Sequence, residues 1–139
     1  MKRTIYFLIL STLMQLVVNH KCAAQTPSVA VNEFRKGNMG FVARLCHSVL
    51  IIEGVGPRVD TVMNTVSRAS LKRQLQRIWK YIPKSELLNG HIEQEGATKV
   101  LLVMKAFNAR GELESESALL FEFILEKSVA KLARIQLAG

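Results

Sequence analysis

The chain has 139 residues, of which 19 are lysine or arginine and 11 are acidic, giving a net charge of +8 with histidine neutral. Apolar residues make up 49%, and there are only two cysteines. A chain of this size buries roughly 65% of its unfolded surface, so it needs no disulfide framework and no structural metal to hold together.

The first segment reads as an export signal. Lys2 and Arg3 supply the positive start, and Ile5 to Val18 is apolar apart from Ser11, Thr12 and Gln15. That run is shorter than the ~20 apolar residues that span a bilayer. Cys22-Ala23-Ala24 offers small residues to a signal peptidase, so cleavage is expected after Ala24. An uncleaved anchor and a lipoprotein are rival readings. Lipidation of Cys22 would want small or apolar residues where Asn19-His20-Lys21 stands. Cleavage removes three basic residues and leaves residues 25–139, with 16 basic and 11 acidic side chains and a net charge of +5. Those 115 residues suit one domain, with no membrane span left after cleavage. The expected location is the periplasm or the outside of the cell.

Thr26 or Ser28 can cap a first helix running to about Lys36, where Gly37-Asn38 breaks it. A second short helix is predicted over Met39 to Cys46, with Phe41, Val42 and Leu45 at helical spacing. "SVLIIE", Ser48 to Glu53, is a β-branched run that predicts a strand. Gly54, Gly56 and Pro57 then predict a loop. The next helix has the clearest pattern. Leu71, Leu75, Ile78 and Ile82 fall on one narrow stripe at 100° per residue, while Arg73, Arg77, Lys80 and Lys84 repeat that spacing on the opposite face. Ser67 can cap its start and Pro83 stops it. After it the period changes to two. "NGHIEQEG", "TKVLLVMKAFN", "SALLFEFILEK" and "VAKLARIQLA" predict four strands joined by short turns, and so an antiparallel meander. Helices first and strands afterwards give an α+β class, a curved antiparallel sheet wrapped around N-terminal helices.

This order resembles that of the nuclear transport factor 2-like, or cystatin-like, superfamily. "FRKGNMGFVARLCHSVLIIEGVG" is similar to its second helix and first strand, and "NARGELESESALLFEFILEKSVAKLARIQL" to its final strands. The resemblance covers roughly Val29 to Leu137. It implies a cone-shaped domain whose apolar interior can hold a small molecule. Some relatives are isomerases or dehydratases. Others only bind, or pair through the open sheet face, and fold does not settle function.

Glu53 is the sharpest enzymatic candidate, because the resemblance implies a proton-moving carboxylate at the end of the first strand. Its partner acid would be Glu122. The isomerase pattern also wants an oxyanion donor, and "TPSVAVNEFRKG" holds no tyrosine. The alternative is that Glu53 is a solvated acid at a strand end. His47 and Trp79 are the candidate ligand-binding side chains of a small apolar pocket, although Trp79 flanks the apolar stripe and can equally pack as core. His47 and His91 with Cys46 are too few ligands for zinc, so no metal and no cofactor are expected. Cys46 sits among apolar neighbours and reads as a small buried hydrophobe. Arg73, Arg77, Lys80 and Lys84 either serve solubility or bind a polyanion. Export makes nucleic acid the least fitting polyanion. Both faces of "TKVLLVMKAF" are largely apolar, with Val100, Leu102, Met104 and Ala106 against Leu101, Val103 and Phe107. An apolar outer face seeks a partner, which predicts a homodimer burying this strand with Lys105 near the rim. The leading expectation is a noncatalytic exported binding or interaction module. The alternatives are an isomerase or dehydratase using Glu53, and a protein that binds envelope polyanions.

Overall fold

The first helix, α1, covers residues 27–36, and its apolar side chains apart from the exposed Val29 fall on one face. The computed structural model describes residues 27–55, 61–64 and 68–138. The signal segment, the caps at Thr26 and Ser67, and Gly56-Pro57 lie outside them. Ala30, Val31 and Phe34 are the buried face of α1. The helix ends where Gly37 donates to the Phe34 carbonyl and Asn38 to the Glu33 carbonyl. This pair of bonds satisfies carbonyls that the last turn leaves open. Gly37 has φ +91°, and a Cβ there would stand 2.9 Å from the Trp79 ring, so only glycine suits the position.

Helix α2 is Met39–Arg44, with the Asn38 side chain accepting from the Phe41 N–H. It is shorter than its sequence suggested. Strand β1 begins at Cys46 and runs to Glu53, because the Leu132 N–H bonds to the Leu45 carbonyl and draws the chain into the sheet there. Strand β2, Thr61–Asn64, pairs antiparallel with β1.

Helix α3, Arg68–Tyr81, buries the stripe read from the sequence. Leu71, Leu75, Ile78 and Ile82 are all under 8% exposed, while Lys72, Arg73, Arg77 and Lys80 are exposed. Leu75→Ala is therefore expected to destabilise by about 2–5 kcal/mol and Arg77→Ala by about 0.5 kcal/mol or less. Urea unfolding of both variants checks this, and equal losses would put the buried face elsewhere.

Pro83 ends α3 but also opens a further helix, α4, Lys84–Asn89, whose last residue falls inside the strand expected from "NGHIEQEG". Strand β3 is thus His91–Glu95. Strands β4, Lys99–Phe107, β5, Leu113–Glu126, and β6, Val129–Ala138, complete one sheet in the order β2-β1-β6-β5-β4-β3. The last four strands form the expected antiparallel meander, whereas β1 joins β6 in parallel. Register shifts interrupt β1–β6, β4–β5 and β5–β6, and such bulges bend a sheet. The result is an α+β cone, a curved, unclosed sheet holding the helices on its inner face.

The two residues of the β5–β6 turn, Lys127 and Ser128, both have positive φ. A tight hairpin turn that matches the sheet twist requires this, and glycine or asparagine meet it with less strain. Ser128→Gly is expected to raise the stability by about 0.5–1 kcal/mol, read as a higher melting temperature. A lower one would mean that the Ser128 side chain carries a contact worth more than the strain.

Candidate functional site

Alternation sorts the sheet side chains into two layers. Val100, Leu102 and Met104 of β4, Leu119, Phe121 and Phe123 of β5, and Leu132 and Ile135 of β6 face the helices. They join Phe34, Met39, Leu50, Leu75 and Leu87 in one buried cluster. These side chains make up the inner layer. Among the described residues, a shallow, open depression lies at the β5–β6 turn, lined by Glu126, Lys127, Val129 and Lys131.

Both acids singled out in the sequence stand on the outer layer. Glu122 is opposite Lys99 on β4 and Arg134 on β6. Glu53 lies 3.9 Å from the Arg134 Nε. Both acids therefore stand among charged side chains outside the apolar interior, where such groups are solvated, and of the two it is Glu53 that pairs with Arg134. Sequence reasoning missed Arg134. Uninterrupted pairing from the two-residue turn would set Ala133 opposite Glu122, and the bulge between Glu122 and Phe123 moves Arg134 there.

His47 and Trp79 are on opposite sides of the sheet. The His47 Nδ1 accepts from the Val49 N–H, and its Nε2 lies 2.5 Å from a Glu126 carboxylate oxygen on the outer layer. Nδ1 as acceptor leaves the proton on Nε2, which donates to Glu126. Trp79 packs against the core on the helix side, its indole N–H donating to the Arg35 carbonyl at 3.3 Å.

The cationic stripe loses one member. The Lys84 ammonium sits 3.8 Å from the centre of a Trp79 ring and donates to the carbonyls of Trp79 and Ile82. It caps the C-terminal end of α3, where a cation is favoured. Burial lowers its pKa below the ordinary lysine value. Arg73, Arg77 and Lys80 remain exposed, and among the described residues none of them has an ion-pair partner.

Cys46 is half-buried rather than fully so, with its thiol donating to the Val42 carbonyl at 3.4 Å. Burial pushes the thiol pKa up to about 12, and Lys131 offsets only part of that. The folded state holds this thiol neutral, so its contribution to stability is full below pH 9 and is lost as the pH rises towards about 12. Native protein at pH 8 is expected to resist iodoacetamide at Cys46 and to react readily once unfolded in urea, read by intact mass. Equal rates in the two states would contradict a buried, neutral thiol.

Among the described residues no group of three or more His, Cys, Asp or Glu could hold a metal ion. Likewise no described helix is long and apolar enough to cross a membrane.

What the outer layer offers instead is a small apolar centre. Leu101 is opposite Leu120, and Val103 opposite Ala118. Leu101, Ala118 and Leu120 are partly exposed and Val103 is 8% exposed, and none of the four belongs to the buried cluster on the helix side. Lys99, Lys105 and Arg134 stand around them together with Glu93, Glu116 and Glu122, supplied by the same cross-strand rows.

No protein-family model and no curated protein matches the chain. Among solved structures, it is similar to a DUF4783 family protein from Bacteroides fragilis YCH46, with TM-score 0.51 and 14% identity over 77% of this chain and 91% of that one. A DUF4783 family protein from Bacteroides ovatus ATCC 8483 matches with TM-score 0.50 and 6% identity over 77% of this chain and 88% of that one. An NTF2-like protein with a cystatin-like fold from Novosphingobium aromaticivorans matches with TM-score 0.46 and 13% identity over 93% of this chain and 86% of that one. At these identities the likeness concerns the fold alone. That fold is the nuclear transport factor 2-like, cystatin-like α+β cone.

Proposed function

We propose that this chain, built on the nuclear transport factor 2-like cone, is an exported, noncatalytic interaction module that works as a homodimer. The observation that carries the reading is the patch of Leu101, Val103, Ala118 and Leu120 on the sheet face turned away from the helices. A monomer would place polar residues there by simple alternation. A surrounding ring with both signs of charge suits a self-complementary interface, in which each copy supplies what the other needs. Dimerisation through β4 and β5 would also cover the charge cluster around Arg134. Export rests on the N-terminal pattern alone. A catalytic role for Glu53 and Glu122 gains no support from their position, since both lie outside the apolar interior.

Native mass spectrometry of the protein purified from its own host tests the proposal. The expected species is a dimer of chains that begin at Gln25. A monomer of that chain would overturn the pairing, and a chain retaining Lys2 would overturn the export. A retained small molecule would favour a ligand-binding pocket over a bare interaction module.

A further inference from the structure

We propose that the outward face of α3 docks the protein reversibly on anionic lipid headgroups. Arg73, Arg77 and Lys80 point within an arc of about 60° opposite the buried stripe, and they span roughly 10 Å of helix. All three are exposed, and Lys72 is exposed beside them. No acidic residue occurs in the chain between Asp60 and Glu86, so nothing on this helix offsets them. The field they create is single-signed and faces solvent.

A second feature selects the bilayer from the other polyanions. Tyr81 stands four residues after Arg77, which continues the ridge of Arg73 and Arg77 by one more turn. It is 57% exposed, and Leu88 on the adjoining α4 is 64% exposed. One exposed leucine or tyrosine is ordinary. Here an aromatic group stands at the end of a cationic ridge, and an exposed aliphatic group follows it on the next helix. A lipid surface matches that sequence of groups, because it offers a plane of negative charge with apolar depth behind it. Tyrosine in particular settles at the headgroup level. An acidic polysaccharide would engage the cations and leave Tyr81 and Leu88 idle. Three or four cations without an inserted chain give weak, reversible attachment. Lys84 takes no part, since its ammonium is held over Trp79 and on two backbone carbonyls.

The experiment is co-flotation of the exported protein, its N-terminus checked by intact mass, with vesicles of phosphatidylcholine alone or mixed with phosphatidylglycerol. Binding is expected to the mixed vesicles only and to fall as salt is raised. The triple variant Arg73→Gln/Arg77→Gln/Lys80→Gln is expected to lower the partition coefficient roughly hundredfold. It shares the same N-terminus and should melt at an unchanged temperature. The variant Tyr81→Ala/Leu88→Ala is expected to lose vesicle binding several-fold while keeping its retention on a soluble polyanion such as heparin. No binding to the mixed vesicles at low salt overturns the proposal, as does binding that the triple variant leaves intact. Vesicle and heparin binding that are both indifferent to Tyr81 and Leu88 would assign the face to polysaccharide instead. Should the triple variant not fold, the salt titration of the unaltered protein still decides, because salt-insensitive binding contradicts a headgroup contact.

Discussion

Replacing Phe121 by alanine is expected to cost about 3–5 kcal/mol, the range for a large aromatic removed from a packed core. Phe121 is 1% exposed and sits at the middle of β5, paired with Val100 on one side and Ile135 on the other. Its ring meets the edge of Phe34 from α1, with centroids 5.3 Å apart and planes at 68°. The contact ties the first helix to the centre of the meander. Edge-on aromatic pairs add about 0.5–1.5 kcal/mol beyond the buried area. Alanine would leave a cavity bordered by strand backbones, which cannot close in around it. Urea unfolding would show this as a lower midpoint at unchanged slope. A loss under about 1 kcal/mol would mean that helices and sheet are not packed through this residue.

The second large effect concerns the opposite face. Leu101→Lys with Leu120→Lys places two ammonium groups where two half-buried leucines now face each other across β4 and β5. In a face-to-face homodimer, four like charges would meet in a region closed off from water. Unpaired charges in an interface cost several kcal/mol, so dissociation by at least a hundredfold is expected. Within one chain the same side chains extend into solvent, and each protomer should keep its stability to within about 1 kcal/mol. A protomer that unfolds instead would show that these leucines belong to the core.

How much of this could be read in advance depends on how far apart the partners lie. The stripe of α3 and the alternation of β5 were legible, because both are local periods repeated within one element. Helix α4 was hidden. It has six residues, only Leu87 of them buried, and Pro83 reads as a stop although it also serves as the N-cap of α4. Strand β5 begins at Leu113, four residues before its apolar pattern starts, since "ELESES" has Leu113 as its single apolar residue and is held by pairing to β4. The parallel contact of β1 with β6 joins segments about eighty residues apart, and no short pattern announces it. The candidate site suffered most from this distance. Glu53 and Glu122 were named as a pair by their places on the strands, while Arg134, which stands beside Glu53 and is set opposite Glu122 by a shifted register between β5 and β6, left no local signal. Lys84 looked like part of a cationic face, yet Pro83 turns it back onto the end of α3.

Sedimentation equilibrium at micromolar concentration, on the exported chain and on its Leu101→Lys/Leu120→Lys variant, tests the interaction-module reading most directly. The expected result is a dimer for the former and a folded monomer, with an unchanged melting temperature, for the latter. A clean monomer for the unaltered chain, or a variant that still sediments as a dimer, would contradict pairing through the outer sheet face.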